Sequence, residues 1–355
     1  MKNLVQFILE ASVPDMKEFI SKSIDDTNDE KIIKRIYDIL VKSNINLDII
    51  DNFLKPRAID DAKKMILSAF DRNSQLSEFC ELCVGNISLP GVNELLAGNN
   101  IYDVFDGLGI DKETLKDIAI LNPPHDGTAR GYYEILSQLL LNDLTDKNRG
   151  KGDVNAGGYE LEYKAPNARI RGRSLKPSVL IEQKFRELIG DKVDYNKLPK
   201  KTGVLSTQEN IKYLFSKELM NENPKDMANV IAQSICAQFN SKDDIDKFMT
   251  FAENHVNDIF PGGKCDRVDP KFIQYMFGVA GLYFYQQDEK FSHMILFKGN
   301  EKNDKGDYIV IPEDAFKNFE SLYNAIKFLD VRFASFPKTD GKITPQDEAV
   351  QIYVK

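Results

Sequence analysis

The chain has 355 residues, enough for two or three domains, and its 42% hydrophobic and 29% charged residues suit a globular protein with a real core. No run of 18 apolar residues occurs, so no membrane span is expected. A net charge of −8 and a pI near 5.2 argue against a general nucleic-acid coat, so any nucleic-acid site has to be a local basic patch.

The opening stretch, MKNLVQFILEASVPDMKEF, mixes charges into its apolar positions. It reads as an amphipathic helix rather than a signal peptide, and a cytoplasmic location is expected. Ile32, Ile33, Ile36, Leu40 and Val41 recur at helical spacing, as do Ala62, Met65, Ile66 and Phe70. Pro56, Pro90 and Gly91 punctuate these segments. Cys80 and Cys83 form a lone C-x-x-C with no second pair, and two small apolar residues on one helix face are expected. Residues 1–124 therefore read as an all-helical recognition or interaction domain.

LNPPHDGTARG (121–131) is a loop by its prolines and glycines, and the domain boundary is placed there. GYYEILSQLLLNDL (131–144) predicts a helix of about three and a half turns. Helices are expected again over 177–190 and through a polar segment, about 191–262. DPKFIQYMFGVAGLYFYQQ predicts a buried helix; SHMILFKG, DYIVIP, LDVRFASF and AVQIYVK predict strands. The fold class is mixed α/β following a helical portion. His125, His255 and His293 are too scattered to suggest a metal centre, and no phosphate loop or nucleotide fingerprint appears.

GDVNAGGYELEYK (152–164) carries the chemistry. Gly157-Gly158 suits a two-residue hairpin loop, because both central residues of a type I′ turn need positive φ. With that loop, Asp153 lies opposite Glu162, Val154 opposite Leu161, and Glu160 opposite Asn155. Opposed carboxylates repel each other, and a divalent cation reverses the sign; hard oxygens are what Mg²⁺ accepts. Lys164 follows two residues after Glu162 on the same face, where an ammonium can assist a water or offset negative charge. The plainer alternative is an exposed hairpin in which Lys164 neutralises Glu162. APNARIRGRSLKPS comes next, with Arg169, Arg171, Arg173 and Lys176 uninterrupted by acids. Arginine suits bidentate phosphate contact, so these residues, with Lys151 and Arg130, are candidate nucleic-acid contacts.

GD, six residues, then ELEYK resembles the PD-(D/E)XK nuclease superfamily, and the helix and Arg-rich loop on either side are similar to nucleases encoded by tailed phages. The resemblance covers 129–173 and extends to 268–312; Gly152 stands where the family's nominal proline would be. It implies a restriction-endonuclease-like core, a central mixed sheet flanked by helices, over residues 125–355, with 191–262 as a helical insertion. It implies a Mg²⁺-dependent deoxyribonuclease, an endonuclease, with Mn²⁺ a substitute, DNA as partner and a homodimer as a compatible assembly; the host cytoplasm is the location if phage-encoded. Asp153, Glu162 and Lys164 would be catalytic, and the Tyr163 carbonyl an extra metal ligand. Glu134 is carried over as an accessory ligand, although the helix's apolar arc (Tyr132, Leu136, Leu139, Leu140) runs opposite it, where a first-turn Glu is ordinarily solvated. The alternative is a non-catalytic phage structural or DNA-packaging protein that retains the nuclease fold. Sequence-specific restriction and RNA cleavage are further variants.

Overall fold

The computed structural model describes residues 34, 37–38, 47–57, 76–120, 131–145, 152–165, 169–170, 177–198, 204–298, 305–337 and 343–354. The amphipathic start, most of the first two periodic segments and the 121–130 loop, with the expected boundary at 124, lie outside these residues.

The chain is a mixture of helix and sheet that divides into two compact units. The first comprises residues 1–163 and 305–310; the second comprises 164–304 and 311–355. In chain order the first unit holds α1 (Leu47–Leu54), α2 (Leu76–Cys83), α3 (Val92–Ala97), α4 (Ile101–Val104), α5 (Lys112–Ile120), α6 (Tyr132–Leu140), β1 (Val154–Ala156) and most of β2 (Tyr159–Lys164). The second unit holds β3 (Arg169–Ile170), α7 (Pro177–Ile189), α8 (Val204–Tyr213), α9 (Pro224–Cys236), α10 (Lys242–Asn254), α11 (Val256–Ile259), α12 (Pro270–Glu289), β4 (His293–Phe297), α13 (Phe319–Ile326), β6 (Asp330–Pro337) and β7 (Ile343–Tyr353), while β5 (Tyr308–Ile311) falls at the division. Two sheets form, one in the order β1-β2-β4-β5 and one in the order β3-β7-β6.

In the first unit Cys80, Phe79, Leu95, Leu136 and Leu140 are wholly buried. Asn100 caps α4 by accepting from the Tyr102 and Asp103 amides, and its own amide donates to Asp307 Oδ1 at 2.7 Å. Tyr308 donates its hydroxyl to the Leu95 carbonyl at 2.5 Å, which satisfies a buried phenol at the end of α3. The second unit is built around α12. Asp269 caps it, Pro270 starts it, and its apolar run is buried through Phe284. Phe239, Phe248, Tyr283, Phe284 and Phe319 pack edge-on or tilted around it, with Phe239–Phe284 at 4.5 Å between centroids. Phe272 and Phe277 are core, whereas Tyr275 is half-exposed and donates to the Leu329 carbonyl at 2.6 Å.

The expected helix over 131–144 is α6, which stops at Leu140. The residues that follow are taken by longer-range partners. The Asn142 amide donates to Pro90 O (3.0 Å), the Thr145 amide to Asn155 O (2.9 Å), and the Asp143 carbonyl accepts from Gly157 (2.8 Å). The Asp143 carboxylate accepts from the Val92 amide at 3.0 Å and so caps α3. Segment 141–145 thus fixes the hairpin turn against α3.

Candidate active site

The site is built on the β1–β2 hairpin. Gly157 and Gly158 take φ of 57° and 83°, the left-handed pair that a type I′ loop demands. The ladder pairs Val154 with Leu161, Asn155 with Glu160 and Ala156 with Tyr159. One step further puts residue 153 at the level of 162. There β1 has ended, and Asp153 lies in a bend whose carboxylate turns onto β2: Oδ2 accepts from the Tyr163 amide at 2.8 Å. Gly152 makes this approach feasible. A Cβ there would stand 2.9 Å from the Leu161 carbonyl oxygen, so alanine, and by the same atom proline, is excluded.

Glu162 is buried at 4% exposure, and Asp153 is half-buried with its Oδ2 held on β2. Lys164, the last residue of β2, is half-buried in the second unit. Its Nζ donates to the Tyr285 hydroxyl at 2.7 Å and lies 4.7 Å from that ring's centroid.

Glu134 is half-buried at the start of α6, which is buried from Ile135 to Leu140. It closes the start of α6: Oε2 accepts from the Gly131 amide at 3.3 Å. Its Oε1 accepts from Gln138 Nε2 at 3.2 Å, and the same Nε2 donates to the Asp153 carbonyl at 2.9 Å. Gln138, only 2% exposed, therefore ties the helix carboxylate to the bend that carries Asp153. One signal for it exists in the sequence, a polar residue one helical turn after Glu134 within an apolar face. Tyr163 donates its hydroxyl to Ser137 Oγ at 2.7 Å, and burial pushes its phenol well above the ordinary range. Both contacts hold the hairpin's apolar face on α6.

Among the described residues no three His, Cys, Asp or Glu side chains converge to hold a metal. Glu134, Asp153 and Glu162 therefore do not form one three-carboxylate cage. The oxygens that fit a hard cation are the carboxylates of Asp153 and Glu162 and the Tyr163 carbonyl, a set suited to an ion that keeps several waters. One further observation bears on the fit: the Asn155 amide oxygen, on the strand position opposite Glu160, is buried with no hydrogen-bond partner.

Arg169 starts β3, where its backbone pairs with Gln351 of β7. Arg130, Lys151, Arg171, Arg173 and Lys176 lie outside the described residues. Cys80 and Cys83 sit on α2 as high-pKa thiols; burial pushes Cys80 up to about 12. His255 lies between two carboxylates, Asp258 Oδ2 at 2.6 Å and Glu320 Oε2 at 2.9 Å. No family model, curated protein or solved structure matches the chain.

Proposed function

We propose that this chain is a Mg²⁺-dependent deoxyribonuclease of the restriction-endonuclease-like type, acting on DNA as an endonuclease. The observation that carries the reading is the Asp153 carboxylate seated on the Tyr163 amide, one residue along β2 from the buried Glu162. An exposed hairpin that merely neutralises charge has no use for a carboxylate drawn onto the partner strand, nor for a buried one beside it. Helix α6 followed by this hairpin, with an Arg-rich loop after it, supports the same fold type.

Asp153 and Glu162 would hold the ion, with the Tyr163 carbonyl beside them. Bound Mg²⁺ supplies Lewis acidity, polarising the phosphate and lowering the pKa of a coordinated water. Lys164 places an ammonium two residues from Glu162, and the Tyr285 hydroxyl steadies its direction. That charge offsets the negative charge that builds on phosphate oxygens as the phosphodiester is attacked. Gln138 and Glu134 hold the bend that presents Asp153. Arg169, Arg171, Arg173 and Lys176 would grip strand phosphates.

A second reading, a non-catalytic packaging or structural protein with the same fold, is favoured by the lack of a three-carboxylate cage among the described residues. Incubation with closed-circular plasmid separates the two. Nicking should require Mg²⁺ or Mn²⁺, stop in EDTA, and fall at least about 10²-fold in Asp153→Ala, Glu162→Gln and Lys164→Met, with circular dichroism unchanged. Nicking that survives all three substitutions would sink the site assignment; no nicking by the parent chain under any divalent ion favours the second reading.

A further inference from the structure

Asn155 has a side chain that local structure leaves unexplained. It lies in the middle of β1, opposite Glu160. Its backbone carbonyl is used, accepting from the Thr145 amide at 2.9 Å. The side chain is 7% exposed, yet its amide oxygen has no donor. Strand alternation places it on the hairpin side that carries Glu160 and Glu162, away from the face of Val154, Leu161 and Tyr163 that packs towards α6. A buried acceptor without a donor is uncommon and calls for a cause. Valine or threonine would fill a strand position here without that burden.

The acid inventory points the same way. No third His, Cys, Asp or Glu joins Asp153 and Glu162 among the described residues, and Asn155 offers a neutral oxygen on the same side of the hairpin. An asparagine carbonyl is such a donor and is common in hard-cation sites. We infer that the Asn155 amide oxygen is a protein ligand, directly or through one coordinated water, of the divalent cation held by Asp153 and Glu162. The inference rests on the proposed function, since it takes the cation from there. It also explains the choice of side chain: a third carboxylate at 155 would add repulsion to the unloaded hairpin, whereas an amide leaves it stable and still offers an oxygen.

Mn²⁺ binding to the full chain, measured by isothermal titration calorimetry after EDTA stripping, tests this alongside thermal melting in EDTA. Asn155→Leu should weaken Mn²⁺ binding at least about tenfold. Its melting temperature in EDTA should equal or exceed that of the parent, because an apolar side chain relieves the orphaned acceptor. Asn155→Asp should do the opposite on both counts, binding Mn²⁺ more tightly and melting lower in EDTA. Unchanged Mn²⁺ affinity in Asn155→Leu overturns the inference, as does a lowered EDTA melting temperature with affinity retained, which marks a structural role. If Asn155→Leu does not fold, unchanged affinity in Asn155→Asp overturns it equally. Binding abolished by Asp153→Ala but indifferent to residue 155 rejects this inference and leaves the nuclease reading standing; no Mn²⁺ bound by the parent rejects both.

Discussion

Gln138 contributes by a single nitrogen that serves two acceptors, the Glu134 carboxylate and the Asp153 carbonyl. Replacing it with leucine keeps the volume and leaves a part-buried carbonyl without its donor, at a cost of about 1–3 kcal/mol. Gln138→Glu should be worse, since a carboxylate then faces two acceptors. Urea unfolding should rank the parent above Gln138→Leu and Gln138→Leu above Gln138→Glu, and equal midpoints would remove Gln138 from the site's framework. Titration at single residues supplies a second expectation. Burial raises Cys80 and Cys236 to about 12, Cys265 to about 11 and Tyr283 to about 12, against 9.0 for a free thiol and 10.0 for a free phenol. Their folded-state values exceed the unfolded ones, so the stability they contribute is whole below pH 9 and drains away as pH climbs towards 11 and 12. Thermal melting should be insensitive to these groups up to about pH 8.5 and fall steadily above it. A midpoint that rises between pH 9 and 11 would contradict the burial of these thiols.

At the level of elements the hairpin was legible, and the end of the helix before it was not. A Gly-Gly loop between alternating residues allows one register, and that register is the one formed. The strands β4 to β6, the end of β7 and the helix α12 were equally plain, because apolar runs of strand or helix length report burial directly; the polar first half of β7 (343–348) gave no such run. The end of α6 was hidden, since what halts it, Pro90, Asn155 and Gly157, is distant in sequence. Glu134 is half-buried rather than fully solvated, because a helical wheel assumes one open face and α6 is buried from Ile135 to Leu140. Long-range packing also separates the two loop glycines, which the sequence treats alike. A Cβ on Gly158 meets nothing within 4 Å, whereas on Gly157 it would sit 2.5 Å from Val92 Cγ1 and 2.8 Å from Asp143 Oδ2. Gly158→Ala should therefore cost about 1–2 kcal/mol, the strain of left-handed backbone alone. Gly157→Ala adds overpacking of about 1–3 kcal/mol to the same strain and should also loosen Asp143 from the α3 terminus. Denaturant midpoints for the pair measure the difference directly; equal losses would mean that α3 does not abut the turn.

For the molecule as a whole, the difficulty is charge. A chain of net charge −8 repels a DNA duplex at long range, so association has to come from a small region whose field prevails only close in. Under the proposed function the segment 164–176 would be that region, with Lys164, Arg169, Arg171, Arg173 and Lys176 and no acid among them. Within it, Arg169 and Ile170 pair with Gln351 and Val350 of β7. A cation cluster on an acidic chain should bind duplex DNA weakly at physiological salt and much more tightly at low salt, with the logarithm of affinity falling linearly against the logarithm of salt concentration. The variant Asp153→Ala, which keeps the arginines and should not cut, allows binding to be read without cleavage. Changing Arg169, Arg171 and Arg173 together to alanine in that background should flatten the salt slope by about 0.9 for each phosphate that is no longer neutralised. It should weaken binding to all duplex sequences alike, because phosphates carry no base identity. Fluorescence anisotropy over a salt series gives both quantities. An unchanged slope would place the DNA-binding surface elsewhere on the chain, and the hairpin would then have no phosphate delivered to it by the loop that follows.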